Sequence, residues 1–407
     1  MTTDGSGFID VDRLVTCDPA RASKANPLGV IEQGAVVFDG GAITFVGAMR
    51  EAPSRPNLER SKASLVTPGL VDAHTHAAFA GSRHDEYALR MGGAGYEEIA
   101  KAGGGIVSSM RAVRAASREE IATTLRGRLD RMAALGVTTV EVKSGYGLDL
   151  ENERKQLEAI ASLKTSADLP DTVATYLCLH ALPPEANGAR GAYAARVAEQ
   201  EIEAIAREGL AAFVVAYVDR NAFGVEEARP ALTRAKELGL GVRLHVGQFA
   251  DVGGAGLAAD LEAASADHLE HVGAVDAARM ASAGVRAVLL PVASFTLAQA
   301  PPPVALLRDA SVPLVVASDA NPGTAPTESL PLAMALAVRL YGLSVAETIL
   351  GVTREAALSL GLSDRGVLRA GARADLVIWD LPHEAALVQP FGTPRAQKVF
   401  SRGRPLG

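Results

Sequence analysis

The sequence has little cysteine and no long apolar run. Its 407 residues include two cysteines, Cys17 and Cys178, which lie far apart and predict two reduced thiols rather than a disulfide framework. No apolar stretch reaches the roughly 18–20 residues that a membrane span needs. Residues 1–12 are polar and acidic, which argues against a signal peptide. We therefore expect a cytoplasmic globular protein with no membrane partner.

The sequence also lacks a basic run, and its formal net charge is −7. This charge argues against a nucleic-acid partner. A hydrophobic fraction of 48% with 21% charged residues is ordinary for a globular chain with a large core. Internal repeats, low-complexity tracts and coiled-coil heptads are not visible.

Short strand-like segments, separated by glycine and proline, occupy both ends of the chain. Residues 34–38 and 42–46 are the clearest near the N-terminus, and residues 375–379 and 398–400 near the C-terminus. We expect segments 1–66 and 361–407 to pair into one small β-sandwich domain. This domain would flank a larger body formed by residues 67–360.

In that body, eight apolar strand-like runs alternate with helical segments. The runs are residues 70–74, 138–143, 173–180, 212–219, 242–246, 266–271, 285–292 and 313–319. Helical patterns fill the gaps, for example at 117–135, 192–207 and 225–238. This alternation predicts parallel strands joined by crossover helices, and eight units indicate a (β/α)₈ TIM-like barrel. A doubly wound open sheet is the alternative architecture.

Histidines and an aspartate lie at the ends of these predicted strands. The first run ends on His74 and His76, whose i, i+2 spacing places both imidazoles on one face of a strand. Later runs carry imidazoles or a carboxylate at His180, His245, His268 and Asp319. A single histidine in such a place is more often a hydrogen-bonded core residue. Their joint placement predicts one functional site at the carboxyl ends of the strands.

Three imidazoles and one carboxylate, from His74, His76, His245 and Asp319, suit one Zn²⁺ ion per chain, with iron as the alternative. Such a metal lowers the pKa of water towards about 7. His268 would orient the water, and Asp319 would accept its proton and pass it to a leaving nitrogen. The pattern predicts metal-assisted hydrolysis.

Several segments resemble a known family. Pro68-Gly-Leu-Val-Asp-Ala-His-Thr-His76 and Ser318-Asp319 resemble the amidohydrolase superfamily. Within it, five segments resemble the imidazolonepropionase family: Phe79-Ala-Gly-Ser-Arg83, Gly103-Gly-Gly-Ile106, Lys143-Ser-Gly-Tyr-Gly-Leu148, Ser265-Ala-Asp-His-Leu269 and Ser318-Asp-Ala-Asn-Pro-Gly323. The resemblance implies hydrolysis of the cyclic amide C–N bond of 4-imidazolone-5-propanoate to N-formimidoyl-L-glutamate, in histidine degradation.

The resemblance places the metal ligands on the same four residues. It also implies a set of substrate contacts: Arg83, Tyr96, Tyr146, His180, Gln248, Asn321, Gly323 and Thr324. Arg83 suits the propionate tail because a guanidinium forms bidentate pairs with carboxylates. His180 would hydrogen-bond the ring carbonyl or stabilise its developing oxyanion. The superfamily commonly forms dimers, so a homodimer is one expected assembly.

Gln248 stands where some relatives carry glutamate. An amide donates and accepts hydrogen bonds but cannot shuttle a proton. This residue weakens the main alternative, an aminohydrolase that deaminates a nitrogen heterocycle. Two further alternatives are a binuclear cyclic amidase with a carbamylated Lys143, and a metal-bound barrel that only binds ligands. A flexible Gly103–Gly105 segment that closes over the substrate is a further hypothesis.

Overall fold

The computed structural model of the chain describes residues 5–55, 57–95, 98–99, 103–164, 166–220, 222–391 and 396–406. Its strands form a seven-stranded sheet and an eight-stranded sheet. The strands are β1 Gly7–Leu14, β2 Ile31–Asp39, β3 Ala42–Ala48, β4 Arg60–Pro68, β5 Leu70–Asp72, β6 Val137–Lys143, β7 Asp171–Leu179, β8 Phe213–Val218, β9 Gly241–Val246, β10 Ser265–His268, β11 Arg286–Leu289, β12 Leu314–Val316, β13 Leu376–Trp379, β14 Ala396–Ser401 and β15 Arg404–Pro405.

Strands β5 to β12 form a parallel sheet in sequence order. A parallel bridge between Thr75 and Ala320 joins the ends of its first and last strands. There the amide of Asp319 donates to the carbonyl of His74 at 3.0 Å, and that of His76 to Ala320 at 2.9 Å. The predicted (β/α)₈ barrel is confirmed, and the open-sheet alternative is wrong.

Helices connect the barrel strands. Those described are His84–Met91, Ile106–Ala115, Arg118–Ala134, Leu150–Leu163, Arg190–Arg196, Ile202–Glu208, Val225–Glu237, Gly254–Asp260, Ala274–Ser282, Pro291–Leu297, Val304–Asp309, Leu330–Leu340, Val345–Gly351 and Arg354–Ser359. Ser117 starts one with a capping box, because its hydroxyl accepts from the amide of Glu120 while the Glu120 carboxylate accepts from the amide of Ser117. The predicted helix at 192–207 is interrupted by a π-helical turn, Val197–Glu201, in which the buried Glu201 accepts from the Tyr176 hydroxyl at 2.9 Å.

The small domain forms from both ends of the chain, as predicted. Its sheet has the order β15-β14-β13-β4-β1-β2-β3. The sheet curls, so that Phe38 of β2 packs against Phe400 of β14 with ring centroids 5.8 Å apart, although three strands lie between them. The predicted sandwich is therefore one continuous sheet folded over its own core.

The two sheets join at Gly69, because β4 ends at Pro68 and β5 begins at Leu70. A side chain at Gly69 would collide with Thr138, since an added Cβ would lie 2.2 Å from its hydroxyl oxygen. The amide of Gly69 donates to the backbone carbonyl of Asp375 at 2.9 Å. The small sheet thus fixes where the first barrel strand starts. The domain boundaries at residues 66/67 and 360/361 remain a prediction.

In the described part of the chain, none of the helices combines the length and the apolar character that a membrane-spanning segment requires.

Candidate metal centre and substrate cavity

A cavity opens at the carboxyl ends of the barrel strands, where (β/α)₈ enzymes carry their active sites. It is lined by His76, Arg83, Ile106, Tyr146, His180, Tyr217, His245, Gln248, Phe249, His268, Asp319, Asn321 and Thr324. Ten of the residues singled out from the sequence therefore lie in one place. Tyr96 lies outside the described residues.

The four predicted metal ligands converge at the floor of this cavity. The Nε2 atoms of His76 and His245 are 3.2 Å apart. Oδ1 of Asp319 lies 3.4 Å from Nε2 of His74 and 3.5 Å from Nε2 of His76. Ligands about 2.1 Å from a tetrahedral metal are separated from each other by about 3.4 Å. The spacing therefore fits a single divalent ion.

The protonation of these rings also fits a metal. Burial, followed by the nearby Lys143, holds the pKa of His76 well below its usual range, and burial does the same for the pKa of His245. Both rings are neutral at pH 7, and two facing nitrogens 3.2 Å apart cannot both carry a proton. Nε2 of His74 is buried without a hydrogen-bond partner in the described structure. A cation satisfies all three nitrogens.

Asp267 orients the first of these ligands. Its Oδ2 accepts a hydrogen bond from Nδ1 of His74 at 2.8 Å, which leaves the lone pair of His74 on Nε2. Burial alone would raise the pKa of Asp267, but Arg243 and His74 lower it, so that the group is ionised. A carboxylate behind a ligating histidine fixes its tautomer and increases its basicity.

Asp319 is held in an unusual backbone conformation. Its φ of 56° lies in the left-handed region, which non-glycine residues rarely adopt. Asp72 fixes the preceding residue, accepting from the amide of Ser318 at 3.1 Å and from its hydroxyl. After it, Asn321 donates to the Asp319 carbonyl at 2.7 Å. Such over-determined strain is common at functional sites.

His268 also lies close to the cluster. His74, His245 and His268 offer nitrogens within 4.8 Å of one another, so these three form a second group that could hold an ion. Nδ1 of His268 lies 3.9 Å from Oε2 of the buried Glu270. Although burial lowers the pKa of His268, Glu270 raises it above its usual value. Glu270 in turn accepts from the hydroxyl of Ser294 at 2.8 Å.

The side chain of Arg83 lines the same cavity. The residue is 7% exposed, and its Nη2 has no hydrogen-bond partner in the described part of the chain. Gly323 lies directly against this guanidinium, since a Cβ there would be 2.2 Å from Nη1. The role of Gly323 in the structure is therefore to leave room for Arg83. Asn321 and Thr324 line the cavity itself.

The structure corrects the role predicted for His180. Its Nδ1 lies 2.7 Å from the carbonyl oxygen of Gly145, which only accepts, so Nδ1 carries the proton. Burial lowers the pKa of His180 to about 4, so the ring is neutral at pH 7. Nε2 then offers a lone pair to the cavity. This Nε2 can accept a hydrogen bond but cannot donate one. The sequence had predicted the opposite, namely donation to a carbonyl or an oxyanion.

Glu153 holds the segment that carries Tyr146. This buried carboxylate accepts from the amides of Gly145 at 2.6 Å, Gly147 at 2.7 Å and Leu148 at 2.8 Å. The ring of Tyr146 lies 5.3 Å from that of His180. Glu153 therefore positions both the tyrosine and the carbonyl that orients His180.

Gln248 is held in place by Tyr217, a residue that was not predicted from the sequence. The Tyr217 hydroxyl donates to Oε1 of Gln248 at 2.8 Å, and both residues line the cavity. With its oxygen bound to Tyr217, Gln248 presents its NH₂ group as a donor. Tyr217 pairs with His245 in the register of β8 and β9. A comparison of the two strand ends could therefore have identified Tyr217 as a site residue.

Lys143, the residue that a carbamylated binuclear site would need, is fully buried in an ion pair. Its Nζ lies 2.6 Å from Oε2 of Glu141, which is also fully buried. The same carboxylate oxygen accepts from the amide of Thr75, between the two strand-end histidines, at 3.1 Å. Lys143 therefore supports the segment that carries His74 and His76, the first two predicted metal ligands.

Comparison with known proteins agrees with this site. The profile of the amidohydrolase family matches residues 65–406. The imidazolonepropionase of Caulobacter vibrioides strain NA1000 / CB15N is 46% identical over 384 residues, covering 93% of this chain and 94% of the relative. That of Mesorhizobium japonicum is 46% identical over 372 residues, covering 90% of each.

A solved structure shares the fold. The triazine hydrolase from Arthobacter aurescens superposes with a TM-score of 0.74 at 17% identity, covering 98% of this chain and 94% of that one. The barrel, the strand-end cluster and the sequence identity point in one direction. The chain belongs to the amidohydrolase family and, within it, to the imidazolonepropionases.

Proposed function

We propose that the chain hydrolyses the cyclic amide C–N bond of 4-imidazolone-5-propanoate and releases N-formimidoyl-L-glutamate, the third step of histidine degradation. The observation that carries the proposal is one cavity holding both a metal-type cluster and a buried arginine. His76, His245 and Asp319 belong to the cluster, and Arg83 retains an unpartnered Nη2. The similarity of the chain to proteins named imidazolonepropionase supports the choice of substrate.

His74, His76, His245 and Asp319 would hold the metal, and Zn²⁺ is our proposal, with Fe²⁺ or Fe³⁺ as the alternative. When bound, such an ion supplies Lewis acidity, which allows water to act as a nucleophile near neutral pH. Metal analysis of the purified protein decides between zinc and iron. We expect the enzyme in the cytoplasm, and size-exclusion chromatography tests whether it is a homodimer.

Arg83 binds the propionate through a bidentate pair, because its guanidinium is buried and Gly323 leaves space beside it. His180 accepts a hydrogen bond from a ring N–H through its unprotonated Nε2. Gln248 donates from its NH₂ group to an acceptor of the ring, because Tyr217 holds its oxygen. These contacts place the ring carbonyl over the cluster and exclude bulk water from it.

Asp319 is the base that accepts a proton from water as the water oxygen bonds to the ring carbonyl carbon. When the C–N bond breaks, Asp319 returns a proton to the leaving nitrogen. His268, whose Nδ1 lies 3.9 Å from Oε2 of Glu270, orients the reacting groups from beside the cluster. Gln248 takes no part in proton transfer, since an amide does not titrate.

The test is to add fresh 4-imidazolone-5-propanoate to the metal-loaded protein and to follow loss of its ultraviolet absorbance, with ammonia assayed in parallel. We expect ring loss without ammonia, and no ring loss after chelation or in Arg83→Ala. Arg131→Ala, which removes an exposed arginine paired with Glu328, is the matched control and should stay active. Release of ammonia would identify a deaminase instead, and no ring loss would refute the proposal.

A further inference from the structure

We propose that Glu86 is a positioning residue that assembles a subsite for the substrate carboxylate from Arg83 and the N-terminal end of the helix Ile106–Ala115. The inference deepens the proposed function and rests on it. It assigns a task to the Gly103–Gly105 segment that precedes this helix.

Glu86 joins the two halves of this subsite through a single oxygen atom. Its Oε2 accepts from Nε of Arg83 at 2.7 Å and from the amide of Gly105 at 3.0 Å. The Glu86 side chain is 12% exposed, so the contacts are largely shielded from water. Arg83 and Glu86 lie three residues apart at the start of the helix His84–Met91, whereas Gly105 is 19 residues further along the chain. Glu86 therefore holds the glycine segment beside Arg83.

The helix that follows the glycines presents its N-terminal end to the cavity. It spans ten residues and begins after Gly105, whose φ is 71° and which provides no side-chain cap. Ile106, its first residue, lines the same cavity as Arg83. The first amides of a helix and its dipole favour an anion at this end.

The side chain of Arg83 independently indicates an anion. Its side chain is 5% exposed, and its Nη2 has no hydrogen-bond partner within the described structure. Burying a charged donor without a partner is unfavourable, so a ligand carboxylate is the expected partner. Glu86 offsets part of the charge of Arg83. The helix end therefore has to supply part of the attraction for an incoming carboxylate.

The glycines permit this close packing. A Cβ on Gly104 would lie 3.1 Å from Cδ of Glu86 and 2.9 Å from the carbonyl oxygen of Ile99. Gly103 and Gly105 have φ values of 84° and 71°, in the left-handed region that favours glycine. The segment thus lets its backbone approach Glu86, rather than serving only as a hinge.

The test compares Glu86→Ala, Glu86→Gln and a control, Glu203→Ala, which removes a glutamate paired with Arg207 and Arg234 on an outer helix. Each metal-loaded variant is assayed for kcat and KM with 4-imidazolone-5-propanoate. Calorimetry then measures binding of 3-(imidazol-4-yl)propanoate and of 4-methylimidazole, which lacks the carboxylate.

In Glu86→Ala we expect KM to rise about tenfold or more, because two hydrogen bonds to a charged group are lost. Its kcat should change much less. Binding of the propanoate ligand should weaken by a similar factor, and binding of 4-methylimidazole should not change. Glu86→Gln keeps an acceptor oxygen and should restore most of the affinity, while Glu203→Ala should match the wild type.

Unchanged KM and propanoate affinity in Glu86→Ala would overturn the inference. Equal weakening for both ligands would also overturn it, because that result indicates a general structural role. If the wild type binds the propanoate ligand but does not turn over the substrate, the proposed function fails, while the binding comparison still decides the role of Glu86.

Discussion

Gly323→Ala should weaken substrate binding by displacing the guanidinium of Arg83. An alanine Cβ would lie 2.2 Å from Nη1, 2.7 Å from Cζ and 3.0 Å from Nη2 of Arg83. The guanidinium must retreat to an ordinary contact of about 3.5 Å. A bidentate pair with bonds of about 2.7–2.9 Å cannot survive that displacement. Gly323 is not among the glycines with positive φ, so alanine is compatible with its backbone.

The magnitude follows from the lost pair. Hydrogen bonds to charged groups contribute about 1.5–3 kcal/mol, which corresponds to a rise in KM of about ten- to hundredfold. Steady-state assays of Gly323→Ala, Arg83→Ala and the double variant measure it. In the double variant, KM should exceed that of either single variant by less than about twofold, because both substitutions remove the same interaction.

Gly191→Ala is the matched control, since nothing lies within 4 Å of a Cβ at Gly191 and its φ is not positive. It should leave KM unchanged. Additive effects of Gly323→Ala and Arg83→Ala, or a normal KM in Gly323→Ala, would refute the reasoning that Gly323 acts through Arg83.

Three other substitutions test residues that support the site or join the barrel to the small sheet. Asp267 contacts His74, Tyr217 contacts Gln248, and Asp171 of β7 pairs with Arg373. Asp267→Asn should lower metal affinity by about 10–100-fold in a chelator competition, and equal affinity would contradict its orienting role. Tyr217→Phe frees the side-chain amide of Gln248 and should reduce kcat/KM by about three- to tenfold, while the metal content stays the same. A kcat/KM equal to that of the wild type would contradict the proposed role of Tyr217 in holding Gln248. Burial raises the pKa of Asp171, but the neighbouring Arg373 and Arg365 lower it by more, so the pKa in the folded protein is below its usual value. The stabilisation that the Asp171 carboxylate contributes is therefore fully present above the unfolded pKa of about 3.9. It is lost as pH falls through the lower pKa of the folded state. Asp171→Asn should therefore lower the urea midpoint at pH 7, and the difference from the wild type should shrink below about pH 4.

The barrel and the strand-end histidines could be predicted because their signals are local. Most barrel strands are short apolar runs, and β6 and β8 are buried along their whole length. His74 and His76 share a face through the two-residue period of a strand. Such patterns require no knowledge of distant parts of the chain.

The supporting residues could not be predicted, because their partners are distant in sequence. Asp267 lies 193 residues from His74, and their contact exists only once the barrel closes. Glu153 and Glu86 bind backbone amides, which leave no mark on the side-chain pattern. The proton of His180 is placed by a carbonyl 35 residues away, so its tautomer could not be predicted from the sequence either.

The curled sheet built from both ends of the chain has a consequence for the order of folding during synthesis. Strand β4 lies between β1 and β13, and β13 pairs its residues 376–379 with residues 65–68. Until the ribosome has released β13, β4 has an open edge, which is a template for association with other chains. Because β4 leads through Gly69 into the strand that precedes His74 and His76, these predicted metal ligands gain this anchor only after residues 376–379 have been synthesised. Deletion of β13 should therefore disturb the candidate site, although residues 376–379 do not line the cavity.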